Sequence, residues 1–93
     1  MKYRVVYHPL VVKTDIPKLD SQNRNRIKKA IEQKLLTSPE IFGVPLKNSL
    51  KGHRKLRVGD WRVVFKIDGS TITVFAIQHR SKVYENLVLR LFP

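Results

Sequence analysis

Residues 54–67 read RKLRV-GD-WRVVFKI, two apolar-rich strands around Gly59-Asp60. A glycine at the first of two central turn positions suits a type II′ hairpin turn. That turn sets the register: Val58 faces Trp61, Arg57 faces Arg62 and Lys55 faces Val64. Side chains alternate faces with period 2. Lys55, Arg57 and Arg62 therefore emerge on one face, and Leu56, Val58, Trp61, Val63 and Phe65 on the other. Two arginines directly opposite each other repel. An anion between them relieves the repulsion, and phosphate is the expected one because a guanidinium fork grips its oxygens in pairs.

Outward from this hairpin the chain reads as one domain, residues 1–93. Asp68-Gly69-Ser70 marks a second hairpin turn, and TITVFAI (71–77) a strand whose apolar run places it centrally. YRVVY (3–7) reads as a first strand ended by His8-Pro9, with Pro9 opening a helix. Leu10, Val11, Val12, Ile16 and Leu19 form the apolar side of a short helical piece that Pro17 interrupts. Asp20 or Ser21 caps a longer helix reaching about Thr37, with Ile27, Ile31 and Leu35 recurring every four residues. Residues 39–53, with two prolines and two glycines, read as a loop with one short turn. Val83 to Phe92 is expected to form a short C-terminal helix carrying Tyr84 on its first turn, mobile without a partner. The expected fold is α+β, in the order β-α-α-β-β-β. Two N-terminal helices pack on one face of a four-stranded, mainly antiparallel sheet, against Leu56, Val58, Val63 and Phe65. The face of Lys55, Arg57 and Arg62 is left open.

The net charge of +12 comes from 19 Lys and Arg against 7 Asp and Glu; eleven of the bases lie in residues 1–53 and eight in 54–93, so no tail holds them. Such a field favours polyanions or acidic proteins as partners. A hydrophobic content of 42% fits a globular chain. The lack of cysteine removes disulfides and thiolate metal sites and suits a reducing cytoplasm. MKYRVVYHPL has no signal-peptide core, and no stretch approaches the ~20 apolar residues of a membrane span. The expectation is a cytoplasmic protein without membrane contact.

From residue 54 onward the carboxylates are Asp60, Asp68 and Glu85, which makes an acid–base pair of carboxylates unsuitable. HExxH and GxxxxGKS/T are missing, and His8, His53 and His79 are far apart, so neither metal nor cofactor is expected. A cationic and aromatic set remains. Lys55, Arg57 and Arg62 are joined by His79, Arg80 and Tyr84 beyond the third hairpin strand. Strand parity puts Phe75, Ile77 and His79 on the side of Arg62, and Arg80 must swing out to join them. Tyrosine stacks on a splayed base, and clustered cations stabilise charge on a phosphoryl group. Plainer readings stay open: a solvated face for Lys55, Arg57 and Arg62, a strand-end role for His79, core packing for Tyr84. Trp61 reads as core or turn packing, and Asp60 as a turn residue.

LKGHRKLRVGDWRVVFKID (50–68) and AIQHRSKVYE (76–85) resemble the RelE family of bacterial toxins, within the broader group shared with ParE. The element order agrees along essentially the whole chain. The resemblance implies a RelE-like fold and an mRNA interferase, an endoribonuclease that cuts messenger RNA on the translating ribosome, in the 30S A site. Lys55 and Arg57 match the basic residues of the family's second-strand motif, and Arg62 its transition-state arginine. Arg80, preceded by His79, matches the basic residue at the last strand end, and Tyr84 the tyrosine that stacks on the substrate base. The implied reaction is attack of the RNA 2′-OH on the adjacent phosphate, leaving a 2′,3′-cyclic phosphate. Lys55 or His79 serves as general base. The missing catalytic carboxylate favours dependence on the ribosome. The family also implies an acidic antitoxin partner, with operator DNA reached through that antitoxin. The alternatives are a ParE-like gyrase inhibitor acting by protein contacts without RNA cleavage, and a degenerate member that keeps antitoxin and DNA binding alone.

Overall fold

The computed structural model describes residues 3–92. Strand β1, Arg4–Tyr7, stops at His8-Pro9, and the chain winds into a π turn, Val11–Asp15, and a 3-10 turn, Ile16–Lys18. Pro17 lies in the first turn of the latter, where its missing N–H breaks no bond. Asp20 caps helix α1, Ser21–Ala30, by accepting from the Asn23 N–H at 2.7 Å. The helix continues as a π turn, Ile31–Leu35, closed by the Leu36 N–H on the Ile31 carbonyl at 3.1 Å. Then come α2 (Pro39–Phe42), β2 (Val44–Pro45), a 3-10 turn (Asn48–Leu50), β3 (Arg54–Val58), β4 (Trp61–Asp68), β5 (Thr71–His79) and α3 (Val83–Leu91).

The sheet order is β1-β5-β4-β3-β2. β1 runs parallel to β5 and the other neighbours are antiparallel. The α+β class and the two N-terminal helical segments stand as expected. The strand count does not: Val44 and Pro45 pair with Lys55 and Arg54, adding a fifth strand where the sequence reads as loop. A proline is tolerated there because β2 lies on the sheet edge. Both hairpins turn on a glycine with φ +62°, Gly59 and Gly69. Asp60 keeps a negative φ, so the β3–β4 turn is type II′ and the expected register holds, with Arg57 opposite Arg62.

Apolar side chains are buried on both faces of the sheet. On one, Val11, Leu19, Ile27, Ile31 and Leu35 pack against Leu56, Val58, Val63 and Phe65. On the other, Val83 and Leu87 of α3 pack on Val64 and Ala76, flanked by Leu46 and Leu50. The face expected to be open is therefore partly roofed by α3. That helix is also tied down at its end. Arg90 donates to Asp15 through Nη1 (2.7 Å) and Nη2 (2.5 Å), and both side chains are buried. Such anchoring answers the expectation of a mobile C-terminal segment: the partner that orders it is the chain's own π turn.

Gly43 is a close-approach glycine. A Cβ there would overlap the Phe65 ring and come within 2.9 Å of the Pro39 carbonyl oxygen. Gly43→Ala is expected to cost about 1–3 kcal/mol through overpacking, read as a lower urea midpoint.

Candidate functional site

The β3–β4 hairpin positions the site. Lys55, Arg57 and Arg62 share the α3 face, because Lys55 pairs with Val64 and Arg57 with Arg62. Arg57 is exposed and Arg62 half-buried. The Arg62 Nη1 donates to the carbonyls of Gly59 (3.0 Å) and Trp61 (2.9 Å). This orients the guanidinium without neutralising it, and no carboxylate lies within 4.0 Å of it among the described residues. Directly opposed guanidinium side chains with no internal acid form a high-potential spot that an anion relieves.

Tyr84 joins this face from the first turn of α3. The Lys55 Nζ lies 5.7 Å from the Tyr84 ring centroid, within cation–π range. The ring is half-buried against the Val64–Leu87 cluster. Its hydroxyl is buried with no hydrogen-bond partner among the described residues. Arg80 follows β5 directly, and its N–H donates to the Asp60 carbonyl (2.8 Å), next to the hairpin turn. Its Nε sits 3.9 Å from the Asp60 carboxylate, both side chains being about two-thirds exposed. An ion pair so open to water is weak and yields readily to a phosphate.

His79 is the correction. The β4–β5 register shifts by one between Val64 and Phe65, so Val64 faces Ala76 and Phe65 faces Val74, leaving Phe75 as the extra residue. Beyond this bulge the parity is inverted. Gln78, not an odd-numbered residue, lies opposite Arg62. His79 lies opposite Trp61 on the other face, its ring edge-on to the indole at 5.7 Å. Its Nδ1 accepts from the Ser81 N–H at 3.2 Å. The structure thus brings together Lys55, Arg57, Arg62 and Tyr84, sets Arg80 at the margin, and keeps His79 apart.

Two neighbours went unread in the sequence. β2 covers only Arg54 and Lys55, so the outer edge of β3 opens into a groove of about 480 Å³. Lys34 and Phe42 line it opposite Lys55, Arg57 and Arg62, with the Lys34 Nζ 5.6 Å from the Phe42 ring centroid. The signal was the run of bases in the capped helix, which reads as a solvated face until the sheet edge is known. Among the described residues no three His, Asp or Glu side chains gather as metal ligands would. No helix among them is long and apolar enough to cross a membrane.

Comparison with known proteins gives this arrangement a class. The sequence profile of the family described as "ParE toxin of type II toxin-antitoxin system, parDE" matches residues 5–84. That is most of the chain, and the chain belongs to this RelE/ParE family of toxins. Toxin RelE of Mycobacterium tuberculosis is 40% identical over 52 residues, 54% of this chain and 54% of that protein. The chain thus spans about half the length of the curated relative it matches. Among solved structures, the toxin–antitoxin complex RelBE2 of Mycobacterium tuberculosis superposes with TM-score 0.78 at 24% identity, covering 86% of this chain and 93% of that one. The isolated RelE toxin of E. coli gives 0.70 at 24%, covering 97% and 99%. These likenesses establish the fold: N-terminal helices, a mixed five-stranded sheet and a C-terminal helix.

Proposed function

We propose that this chain is an mRNA interferase that cleaves messenger RNA on the ribosome. The observation that carries the reading is the pairing of Arg57 with Arg62 on one face, with Lys55 and Tyr84 beside them and, among the described residues, no acid on either guanidinium. In the proposed reaction the RNA 2′-oxygen bonds to the adjacent phosphorus and the P–O5′ bond breaks. The products are a 2′,3′-cyclic phosphate and a free 5′-OH. Arg57, Arg62 and Arg80 hold the phosphate and stabilise the pentacoordinate charge. Lys55 takes the 2′ proton, and a proton from solvent goes to the departing O5′. His79 loses that candidacy because the β5 bulge turns it to the Trp61 side. Among the described residues no carboxylate lies within 4.0 Å of Lys55, Arg57 or Arg62 to share proton transfer, which favours a contribution from the ribosome.

An acidic antitoxin is the proposed protein partner. The +12 charge suits it, and the solved relatives include toxins bound to antitoxins. The second reading, a gyrase inhibitor, is favoured by the match of residues 5–84 to the ParE toxin family. Primer extension on a message after brief induction in a bacterial host separates the two. Discrete cuts within codons support the nuclease. Intact message with DNA damage supports gyrase inhibition.

Tyr84 supplies a finer test. A ring that stacks on a base is worth about 1–3 kcal/mol, so Tyr84→Ala is expected to slow cleavage by roughly 5- to 150-fold. Tyr84→Phe should cut at the wild-type rate and raise the urea midpoint, because it deletes a buried hydroxyl that has no partner among the described residues. A Tyr84→Phe enzyme as slow as Tyr84→Ala would mean that the hydroxyl, not the ring, does the chemistry.

A further inference from the structure

The cationic groove does not end at Arg57. A second groove of about 230 Å³ lies between α1 and the β3–β4 turn, lined by Arg26, Lys29, Lys34 and Arg57. Lys34 and Arg57 line both grooves, so the two adjoin at the outer edge of β3. Arg26 is seated rather than loose: a Cβ built at Gly59 would lie 2.7 Å from its Nη1, so the guanidinium rests directly on the turn. Glycine at 59 thus serves both the positive φ and this close approach. Across the two grooves six cations (Arg26, Lys29, Lys34, Lys55, Arg57 and Arg62) line the walls with no carboxylate among them. None has an acidic side chain within 4.0 Å among the described residues.

We propose that Arg26, Lys29 and Lys34 form a second phosphate-binding subsite, which takes the sugar–phosphate backbone of nucleotides flanking the bond gripped at Arg57 and Arg62. The inference rests on the nuclease reading and extends it. Two adjoining grooves of about 480 and 230 Å³ exceed what one phosphate fills. Among the described residues Ala30 and Val58 are the apolar walls of the α1 groove, while the anchors a protein would use, Phe42, Val44 and Leu56, lie in the first groove. A protein partner needs apolar or aromatic anchors, whereas a strand of repeated phosphates needs only repeated cations. Single-stranded RNA is therefore the favoured occupant, and an acidic protein the competing outcome.

The test is fluorescence anisotropy of the purified chain with labelled single-stranded 2′-O-methyl RNA, which cannot be cut, as a trinucleotide and a dodecanucleotide over a salt series. For the dodecamer, the Arg26→Gln/Lys29→Gln/Lys34→Gln variant is expected to flatten log K against log[salt] by about 2, three contacts at ~0.7 each. Arg26→Gln/Lys29→Gln, which spares the Lys34 wall shared with the first groove, keeps trinucleotide binding at the wild-type value. Lys13→Gln/Lys18→Gln/Lys28→Gln removes as many exposed charges away from the groove and should leave the dodecamer slope unchanged. Because Arg26 packs on the hairpin, Lys29→Gln/Lys34→Gln alone is the second variant, with an expected flattening of about 1.4. Equal flattening by the off-groove control, or none by either groove variant, overturns the subsite. So does an effect confined to binding of poly-glutamate. None of these outcomes requires cleavage, so a failed nuclease reading shows separately, as intact message with the wild-type chain.

Discussion

Arg62→Ala is expected to slow message cleavage by roughly 10²–10³-fold and to abolish growth arrest on induction. Arg62 stands across the hairpin from Arg57. Its Nη1 is committed to the Gly59 and Trp61 carbonyls, which leaves Nε and Nη2 with no partner among the described residues. That is the geometry of a fork held ready for an anion: fixed by neutral acceptors on one side and unsatisfied on the other. In the proposed reaction its electrostatic contribution is preorganised and acts where charge develops on the phosphoryl oxygens. Folding should not suffer. Deleting one of two opposed like charges in a sheet relieves repulsion, so the urea midpoint of Arg62→Ala is expected to match or exceed wild type. Arg62→Lys keeps the charge but loses the fork, and should recover only part of the rate. The measurement is the cleavage rate on programmed ribosomes beside the unfolding curve.

The largest stability effect is expected at Asp15. Its carboxylate accepts from the Ile77 N–H (2.9 Å), the Gln78 Nε2 (2.9 Å) and both Nη atoms of Arg90. It is 3% exposed, and the Arg90 side chain 7%. Two charges so far from water stand only because each satisfies the other. Removing one strands its partner, at a cost of about 3–5 kcal/mol. Asp15→Ala is expected to lose that much in urea denaturation, with the melting temperature falling by about 4–8 °C for each kcal/mol. Arg90→Met should cost less, because Asp15 keeps two of its donors while Arg90 without Asp15 keeps only the Phe75 carbonyl. A double-mutant cycle should give a coupling of about 0.5–3 kcal/mol or more. Since this clasp holds the far end of the helix that carries Tyr84, the same variants should lose cleavage before they lose all structure.

What the sequence made legible follows from how local each signal was. The 54–67 hairpin was readable because alternation and a Gly-Asp turn fix register within 14 residues, and Arg57 did meet Arg62 as read. The capped helix from Asp20 was readable for the same reason. The β5 bulge was not. TITVFAI is apolar at nearly every position, so nothing marks Phe75 as the extra residue, and the inverted parity misplaced His79. β2 was hidden because Pro45 and Gly43 read as loop chemistry, and only an edge position makes a proline compatible with pairing. Asp15 and Arg90 are 75 residues apart, and their meeting is purely tertiary. An aspartate inside the apolar run Val11, Val12, Ile16 and Leu19 was the one available sign that a buried charge required a partner.

The most direct test of the nuclease reading is end analysis of a defined message cut on purified ribosomes by the wild-type chain and by Arg57→Ala/Arg62→Ala. The expected result is a new upstream fragment ending in a 2′,3′-cyclic phosphate with wild type, and uncut message with the double variant. Uncut message with wild type, or equal cutting by both proteins, would contradict it.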